Sequence, residues 1–448
     1  MHTFDESTAH VARQILEYAY SQIETDDWPL DGPRPLAELD AAVGPTITSD
    51  GIGAEAAFRA FTDVLAPACI STDSTRFLSF IPAAPTKMAL LFDLVVGATS
   101  LCGTSWLESA GAIYAENQAL RWLADLAGLP SGAGGCFVSG GSAANLSALV
   151  TARAAAAANR PRPVRGRVAV GEQTHSSVAS ALRIIDVDPV VVPSDADDRL
   201  TGTALDAVLA ADADRSIFAV VATAGTTNAG LIDDLDGIAT TARRHGVWLH
   251  VDAAYGGAAL AVPRLRPDFA GIEHADSLAV DPHKWLFSPY DCAALLYRRP
   301  ELAADTHAQE ASYLDAIRAG DGWNPSDYAY HLTRRVRGLP FWFSLATHGT
   351  DAYATAIETT IGIAARAAAQ IEAAPHVELV REPGLSIVLF RRPGWDEDDY
   401  LSWARRLLAD GVALSLPTRW RGEMVARWVF VNPLVADAEI TEILDTMR

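Results

Sequence analysis

Lysine is almost missing from this chain. Of 35 basic residues only Lys87 and Lys284 are lysine, which leaves 35 less 2, or 33, arginines. A guanidinium does not lose its proton, whereas a lysine amine can do so, attack a carbonyl and form a covalent imine. A chain that uses arginine wherever it needs charge keeps a lysine for its nucleophilicity, and Lys284 is the candidate. Its local window, a short apolar run followed by Asp281-Pro-His-Lys-Trp285, fits a surface lysine beyond a strand equally well, so its neighbours must decide.

Positive charge is scarce overall. The 35 basic residues face 56 acidic ones, the formal charge is -21 and the pI is near 4.8. Nucleic-acid binding begins with an excess of Lys and Arg on one face, so no nucleic-acid partner is expected. The four cysteines, at positions 69, 102, 136 and 292, show no paired CxxC spacing. They fit reduced thiols in a cytoplasmic protein better than a disulfide frame or a zinc site, and no metal is expected. Long apolar runs are missing too: residues 88–97 are interrupted by Asp93, and nothing approaches the roughly 18 apolar residues of a membrane helix. The opening Met-His-Thr-Phe-Asp-Glu-Ser is acidic, without a basic region or an apolar stretch, so no secretory signal is expected.

What the chain does have is apolar capacity. Half of its 448 residues are hydrophobic, and a chain of this length exceeds one core, so a large domain with smaller pieces is expected. Residues 8–23 and 53–65 have helical spacing. They form an arm too small to stand alone, to be packed on the main body or on another subunit. Residues 88–127 read as helical almost throughout, with Trp106, Tyr114, Leu120, Trp122 and Leu126 as core positions. After residue 135, short runs at 136–138, 168–170, 190–192, 217–221, 247–251 and 277–280 alternate with helical stretches. That pattern implies βαβ units and a mostly parallel sheet, whose ligands sit at the carboxyl ends of its strands. The run 293–297 looks like a strand doubling back. Residues 301–327 lack periodicity and read as a lid. The remainder reads as a compact α+β domain, with strands at 377–381, 385–391, 412–416 and 428–431.

The strand exits carry the chemistry. Ser139-Gly-Gly-Ser142 opens an alanine-rich helix, where free backbone N–H groups and the helix dipole make an anion site, although a plain strand-to-helix turn has the same letters. His175 follows the second run, and Ala222-Thr-Ala-Gly-Thr-Thr-Asn228 is a hydroxyl-rich exit. Asp252 follows an apolar strand, where a carboxylate is costly unless donors or a cation meet it; a helix cap would also explain it. An amine, a phosphate cradle, a carboxylate and a flat imidazole together suit one cofactor, pyridoxal phosphate.

The order Asp252, then Ser277-Leu, five residues, then Lys284-Trp resembles the signature of the group II pyridoxal-dependent decarboxylases, in particular their aromatic L-amino acid decarboxylase branch. The resemblance spans residues 76–346, with motifs at 77–82, 139–145, 172–177, 222–227, 250–255 and 281–285. It implies an α/β, fold-type I enzyme with an N-terminal helical arm (1–86), a large domain with a mostly parallel central sheet (87–341) and a small α+β C-terminal domain (342–448). By this resemblance Gly141 and Ser142 bind the phosphate, with Asp281 and His283 close by and Ala254 among the cofactor contacts. His175 stacks on the ring, Thr223 lies near substrate or cofactor, Asp252 pairs with the ring nitrogen and Lys284 is the covalent anchor. Tyr313 matches the family's proton-donating loop tyrosine; phenylalanine there goes with oxidative deamination.

The resemblance further implies a substrate pocket at Phe80, Pro82, Cys102, Thr104 and Glu108, the last equally readable as a helix-surface glutamate. Ala83 stands where the family has threonine, and Cys102 and Thr104 where large apolar groups occur, so the pocket is roomier or more polar. The implied reaction is decarboxylation of an L-amino acid, aromatic or related, to amine and carbon dioxide. An aldehyde synthase, a lyase or an aminotransferase of the same fold is the alternative, the last recruiting Arg381, Arg391 or Arg427 for the substrate carboxylate. A homodimer is implied, with residues around Phe80 or Thr104 reaching the partner's cofactor.

Overall fold

The β-branched runs of the middle of the chain become one sheet. In the computed structural model, which describes residues 2–26, 28–159, 166–309, 311–312 and 322–448, seven strands build it. They are β1 (Gly134–Val138), β2 (Arg167–Gly171), β3 (Asp188–Val192), β4 (Ile217–Thr223), β5 (Trp248–Asp252), β6 (Ser277–Val280) and β7 (Ala293–Tyr297). Their order is β1-β7-β6-β5-β4-β2-β3. The pairs from β3 through β2, β4 and β5 to β6 are parallel, and β7 runs antiparallel between β6 and β1. Every residue of β4 and β5 is buried, as a parallel sheet covered on both faces requires. Alternate residues feed different cores: Val220 and Ala222 of β4 join one cluster, Ala219 and Val221 the other.

The crossover helices begin and end on local signals. Thr201 caps the helix Gly202–Ala211 through the N–H of Ala204, and Asp234 caps Leu235–His245 through Gly237. Gly246 closes the latter in the left-handed region, after Arg243, Arg244 and His245 have set positive charge on the helix's negative end.

A second, antiparallel sheet, β8 (Glu378–Leu379), β9 (Ile387–Arg391), β10 (Pro417–Trp420) and β11 (Glu423–Val429), has the order β10-β11-β9-β8. Helices Thr350–Ala373, Glu397–Ala409 and Asp437–Asp445 cover it around Trp403, Trp428 and Phe390. Residues 412–416 are not a strand of this sheet. Leu414 instead bonds to the segment after the arm, accepting from the N–H of Leu78 at 3.0 Å and donating to the carbonyl of Arg76 at 2.9 Å.

The arm comprises helices Glu6–Glu24, Leu36–Val43 and Ala54–Ala60, and the latter two bury no residue. Helices Lys87–Thr99 and Trp106–Leu126 follow. The second has two apolar faces, and only one meets the core: Leu120 is buried, whereas Tyr114, which the pattern assigned to the core, is 60% exposed. Within 301–327, read as aperiodic, the structure forms a helix over Pro300–His307 and a short turn at Pro325–Asp327; Tyr313 lies outside the described residues. No helix among the described residues is long and apolar enough to cross a membrane.

Candidate active site

Two strand-exit turns pack back to back at the carboxyl edge of the sheet. Thr223 and Asp252 are register partners at the ends of β4 and β5. Beyond them Gly225, at φ +106°, approaches the turn after β5 so closely that a Cβ would lie 2.7 Å from the Cα of Gly256. Only glycine permits that approach, and it holds the hydroxyl and the carboxylate side by side.

Lys284 sits in the turn after β6. Asp281 anchors the turn through its N–H to the carbonyl of Ala254, and the N–H of Lys284 returns to the carbonyl of Asp281, both at 3.0 Å. Behind it the buried Trp285 stacks on Tyr255 with centroids 5.0 Å apart and donates to the Thr360 hydroxyl at 2.8 Å. Tyr255 in turn bonds Ser386 at the edge of the smaller sheet, at 2.6 Å, so the lysine's backbone is tied to both sheets.

The lysine ammonium lies 3.0 Å from Asp281 Oδ2, which also accepts from the Gly141 N–H at 3.1 Å. Burial pulls the Lys284 pKa down, but the carboxylates of Asp281 and Asp252 outweigh it and leave the amine above its ordinary value. His283 faces the opposite balance. Burial dominates and lowers its pKa, and its Nδ1 accepts from the Cys292 N–H at 2.9 Å.

Asp252 Oδ2 accepts from Asn145 Nδ2 at 2.8 Å and Oδ1 from the Ala254 N–H at 3.2 Å. These donors explain how a carboxylate can remain 6% exposed beyond an apolar strand. His175 caps the helix Ser176–Ile184 by accepting from the Ser177 N–H.

All nine expected cofactor contacts, Gly141, Ser142, His175, Thr223, Asp252, Ala254, Asp281, His283 and Lys284, line one cavity of about 490 Å³. Two buried atoms there, Thr223 Oγ1 and Asp281 Oδ1, have no hydrogen-bond partner among the described residues. Gly141 has no room for a side chain, since a Cβ would stand 3.0 Å from Asp281 Oδ2 and 3.1 Å from the Ala254 methyl. An amine on one wall, backbone N–H groups at a helix start on another, and unpaired acceptors and hydroxyls between them fit a small phosphorylated aldehyde.

Residues 48–392 match the model of a family described as the pyridoxal-dependent decarboxylase conserved domain. The chain belongs to the pyridoxal-dependent decarboxylases. It is 32% identical over 386 residues to an aromatic-L-amino-acid decarboxylase of Bacillus atrophaeus, covering 83% of this chain and 80% of that protein. To an L-2,4-diaminobutyrate decarboxylase of Rhizobium meliloti (strain 1021) it is 34% identical over 373 residues, covering 80% and 74%. The crystal structure of Oryza sativa TDC with PLP and tryptamine superposes with a TM-score of 0.89 at 26% identity, covering 98% of this chain and 96% of that one. Pyridoxal-phosphate-dependent decarboxylation is therefore its reaction class, on the expected two-sheet α/β architecture.

The substrate side is sparser in this pyridoxal-dependent decarboxylase. Phe80 and Ile81 line the cavity; Pro82, Cys102, Thr104 and Glu108 do not. Cys102 and Thr104 contact each other at 3.1 Å, and the Glu108 carboxylate accepts from Ser105 at 2.7 Å, at the start of its helix. Arg427 is buried with its guanidinium on the carbonyls of Thr227 and Phe80; burial pushes its pKa down to about 10, so it stays charged. Sequence reasoning gave no role to Tyr290, which lines the cavity, accepts from the Ala83 N–H at 3.1 Å and meets the His283 ring at 5.1 Å. Its place five residues beyond Trp285, on the return toward β7, was the available signal. Asn145 and Ser177 were inside the motifs but without roles; Asn145's partners Asp252 and His250 lie 107 and 105 positions away.

Proposed function

We propose that this chain decarboxylates an aromatic or related L-amino acid to its amine and carbon dioxide. The observation that carries the reading is the single cavity uniting Lys284 with Asp252, Thr223, His175 and the Gly141 helix start, supported by 32% identity to an aromatic-L-amino-acid decarboxylase. Pyridoxal phosphate supplies an electron sink for the pair left when carbon dioxide departs. In this reading Lys284 would be the covalent anchor of the cofactor, and the Gly141 and Ser142 helix start, with His283, would hold its phosphate. Asp252, kept in place by the donors of Asn145 and Ala254, would keep a proton on the ring nitrogen, since an adjacent carboxylate raises that nitrogen's pKa. His175 would lie against the ring, Thr223 Oγ1 would hydrogen-bond cofactor or substrate, and Tyr313 would donate the proton that replaces the carboxylate.

The aminotransferase alternative finds little support. Arg427 is engaged by backbone carbonyls, Arg391 pairs with Glu378 and Glu423, and Arg381 lies 5.5 Å over Trp420; none of the three lines the cavity. The 34% identity to an L-2,4-diaminobutyrate decarboxylase does favour a second substrate class, a diamino acid.

The domain division at 1–86, 87–341 and 342–448 and a cytoplasmic location belong to the same proposal, the location resting on four free cysteines, two of them buried. So does a homodimer. Leu107 (68%), Tyr114 and Phe80 (61%) expose large apolar side chains that a second copy of the chain would cover.

The test is purified protein with L-tryptophan, L-tyrosine, L-phenylalanine, L-Dopa and L-2,4-diaminobutyrate, assaying carbon dioxide, amine, aldehyde and peroxide together. Carbon dioxide and amine in equal amounts from an aromatic substrate are expected. Turnover of diaminobutyrate alone would move the substrate class, and aldehyde with peroxide would replace the reaction. Tyr313→Phe is expected to lower amine formation by about 10² to 10⁴-fold and raise aldehyde and peroxide; an undiminished rate would assign the proton elsewhere.

A further inference from the structure

Behind the cavity a continuous run of buried side chains joins β5 and β6 to the residues that face it. Trp248 Nε1 donates to Ser277 Oγ at 2.8 Å, and Ser277 Oγ meets His250 Nδ1 at 2.8 Å. His250 Nε2 meets Asn145 Oδ1 at 2.8 Å. The Asn145 amide reaches Asp252 Oδ2 at 2.8 Å and Ser177 Oγ at 3.0 Å, and Ser177 Oγ meets His175 Nδ1 at 2.8 Å. His250, Asn145 and Ser277 are each at most 1% exposed.

The protons about Asn145 are fixed from the Asp252 end of this run. A carboxylate only accepts, so Asp252 demands the amide nitrogen of Asn145; that places the carbonyl toward His250 and makes His250 Nε2 the donor to it. A neutral His250 then has a bare Nδ1 that accepts the Ser277 hydroxyl proton, while the Trp248 indole, which only donates, fills one lone pair of that hydroxyl. His175 Nδ1 accepts the Ser177 N–H at 3.2 Å, so that nitrogen carries no proton, and its contact with Ser177 Oγ, which takes the second amide hydrogen of Asn145, is made by the hydroxyl donating.

We propose that His250 is a positioning residue: its Nε2–H locks the Asn145 amide, and through that single amide it orients Asp252 and holds the Ser177 hydroxyl that meets His175. The proposal rests on the decarboxylase reading only in taking Asp252 and His175 to flank the cofactor. Burial lowers the His250 pKa to about 4, against the opposing pull of Asp252, which agrees with a neutral ring.

The test compares two variants of the holoenzyme. Glutamine at this position can donate to Asn145 and accept from Ser277, whereas leucine fills space and does neither. Nitrogen-15 NMR of histidine-labelled wild-type holoenzyme should show His250 with bare Nδ1 and protonated Nε2, and His175 with bare Nδ1. H250L should shift the His175 ring resonances, although the two side chains do not touch, and lower kcat on the order of tenfold with KM little changed. H250Q should keep both close to wild type. Protonated Nδ1 on wild-type His250 would overturn the proposal, as would H250Q being as damaging as H250L, or H250L leaving the His175 resonances and kcat unmoved. Should H250L fail to fold, the wild-type resonances and H250Q still decide. Should the protein bind no pyridoxal phosphate, the cofactor reading fails while the His250 tautomer remains readable.

Discussion

The cavity has two unlike walls. One is made of the ends of parallel strands and their turns, and its polar groups are held by buried partners, as Asp252 is by Asn145 and Ala254. The other is Phe80, Ile81 and Tyr290, and Phe80 is 61% exposed among the described residues. Even its backbone differs: Phe80 sits in the left-handed region at φ +54°, and the buried Arg427 holds its carbonyl at 3.0 Å. A non-glycine residue in that region costs on the order of 1 kcal/mol and persists where its surroundings impose it. The first wall is complete within one chain; the second is the one that the proposed homodimer would finish.

The largest effect expected is on the first wall. Lys284→Ala should abolish the cofactor's visible absorbance and cut decarboxylation by at least on the order of 10⁴-fold. Normal turnover in that variant, followed by carbon dioxide release, would end the assignment. The second wall is broken by charge. Leu107→Asp on an interface between identical chains buries two unpaired carboxylates per dimer. Sedimentation should show dimers weakened by about 10²-fold or more and activity falling with dilution, whereas a monodisperse active wild-type monomer would remove the proposed partner surface altogether.

A smaller effect belongs to His331, which does not line the cavity. Burial, then Arg334 and Arg337, lowers the His331 pKa from 6.5 to about 4. Between those values the unfolded chain binds a proton there that the folded chain refuses, so His331 makes stability fall as pH drops, by about 1.4 kcal/mol per pH unit. His331→Gln should remove that slope from the difference between the two denaturation profiles over pH 6.5 to 4; parallel profiles would show that the ring does protonate in place. The smallest effect sharpens the contrast. Tyr290→Phe strips a polar atom from the apolar wall and leaves the Ala83 N–H unpaired, so KM should rise about fivefold to tenfold with kcat little changed. An unchanged KM would place this hydroxyl outside the substrate's reach.

The first wall was legible in the sequence because its rules are local. A short β-branched run announces a strand, alternation with helical stretches announces parallel pairing, and the residues at the exit of each strand must then converge on one edge. The positions of Asp252, Thr223 and Lys284 came out of that logic. The partners of those residues did not, because Asn145 meets Asp252 across 107 positions and His250 across 105, and no periodicity reports such a pair. Tyr114 failed for another reason. An apolar residue on a helix says that something covers it, not which molecule does. The run 412–416 has the apolar content of a strand, but Leu414 forms an isolated bridge with Phe77 and bonds to the segment at 76–78 instead of the nearby sheet.

The poverty in lysine makes this molecule nearly blank to amine-directed reagents. Acylating labels, cross-linkers and amine-coupled surfaces find two side chains in 448 residues. One of them, Lys87, is partly exposed beside the arm and pairs with Asp26 at 3.2 Å; the other stands in the cavity. Coupling through side-chain amines therefore offers two addresses, and occupancy of the cavity by a carbonyl compound would withdraw one. The rate at which a label enters position 284 becomes a direct gauge of how open the cavity is, read on the unaltered protein.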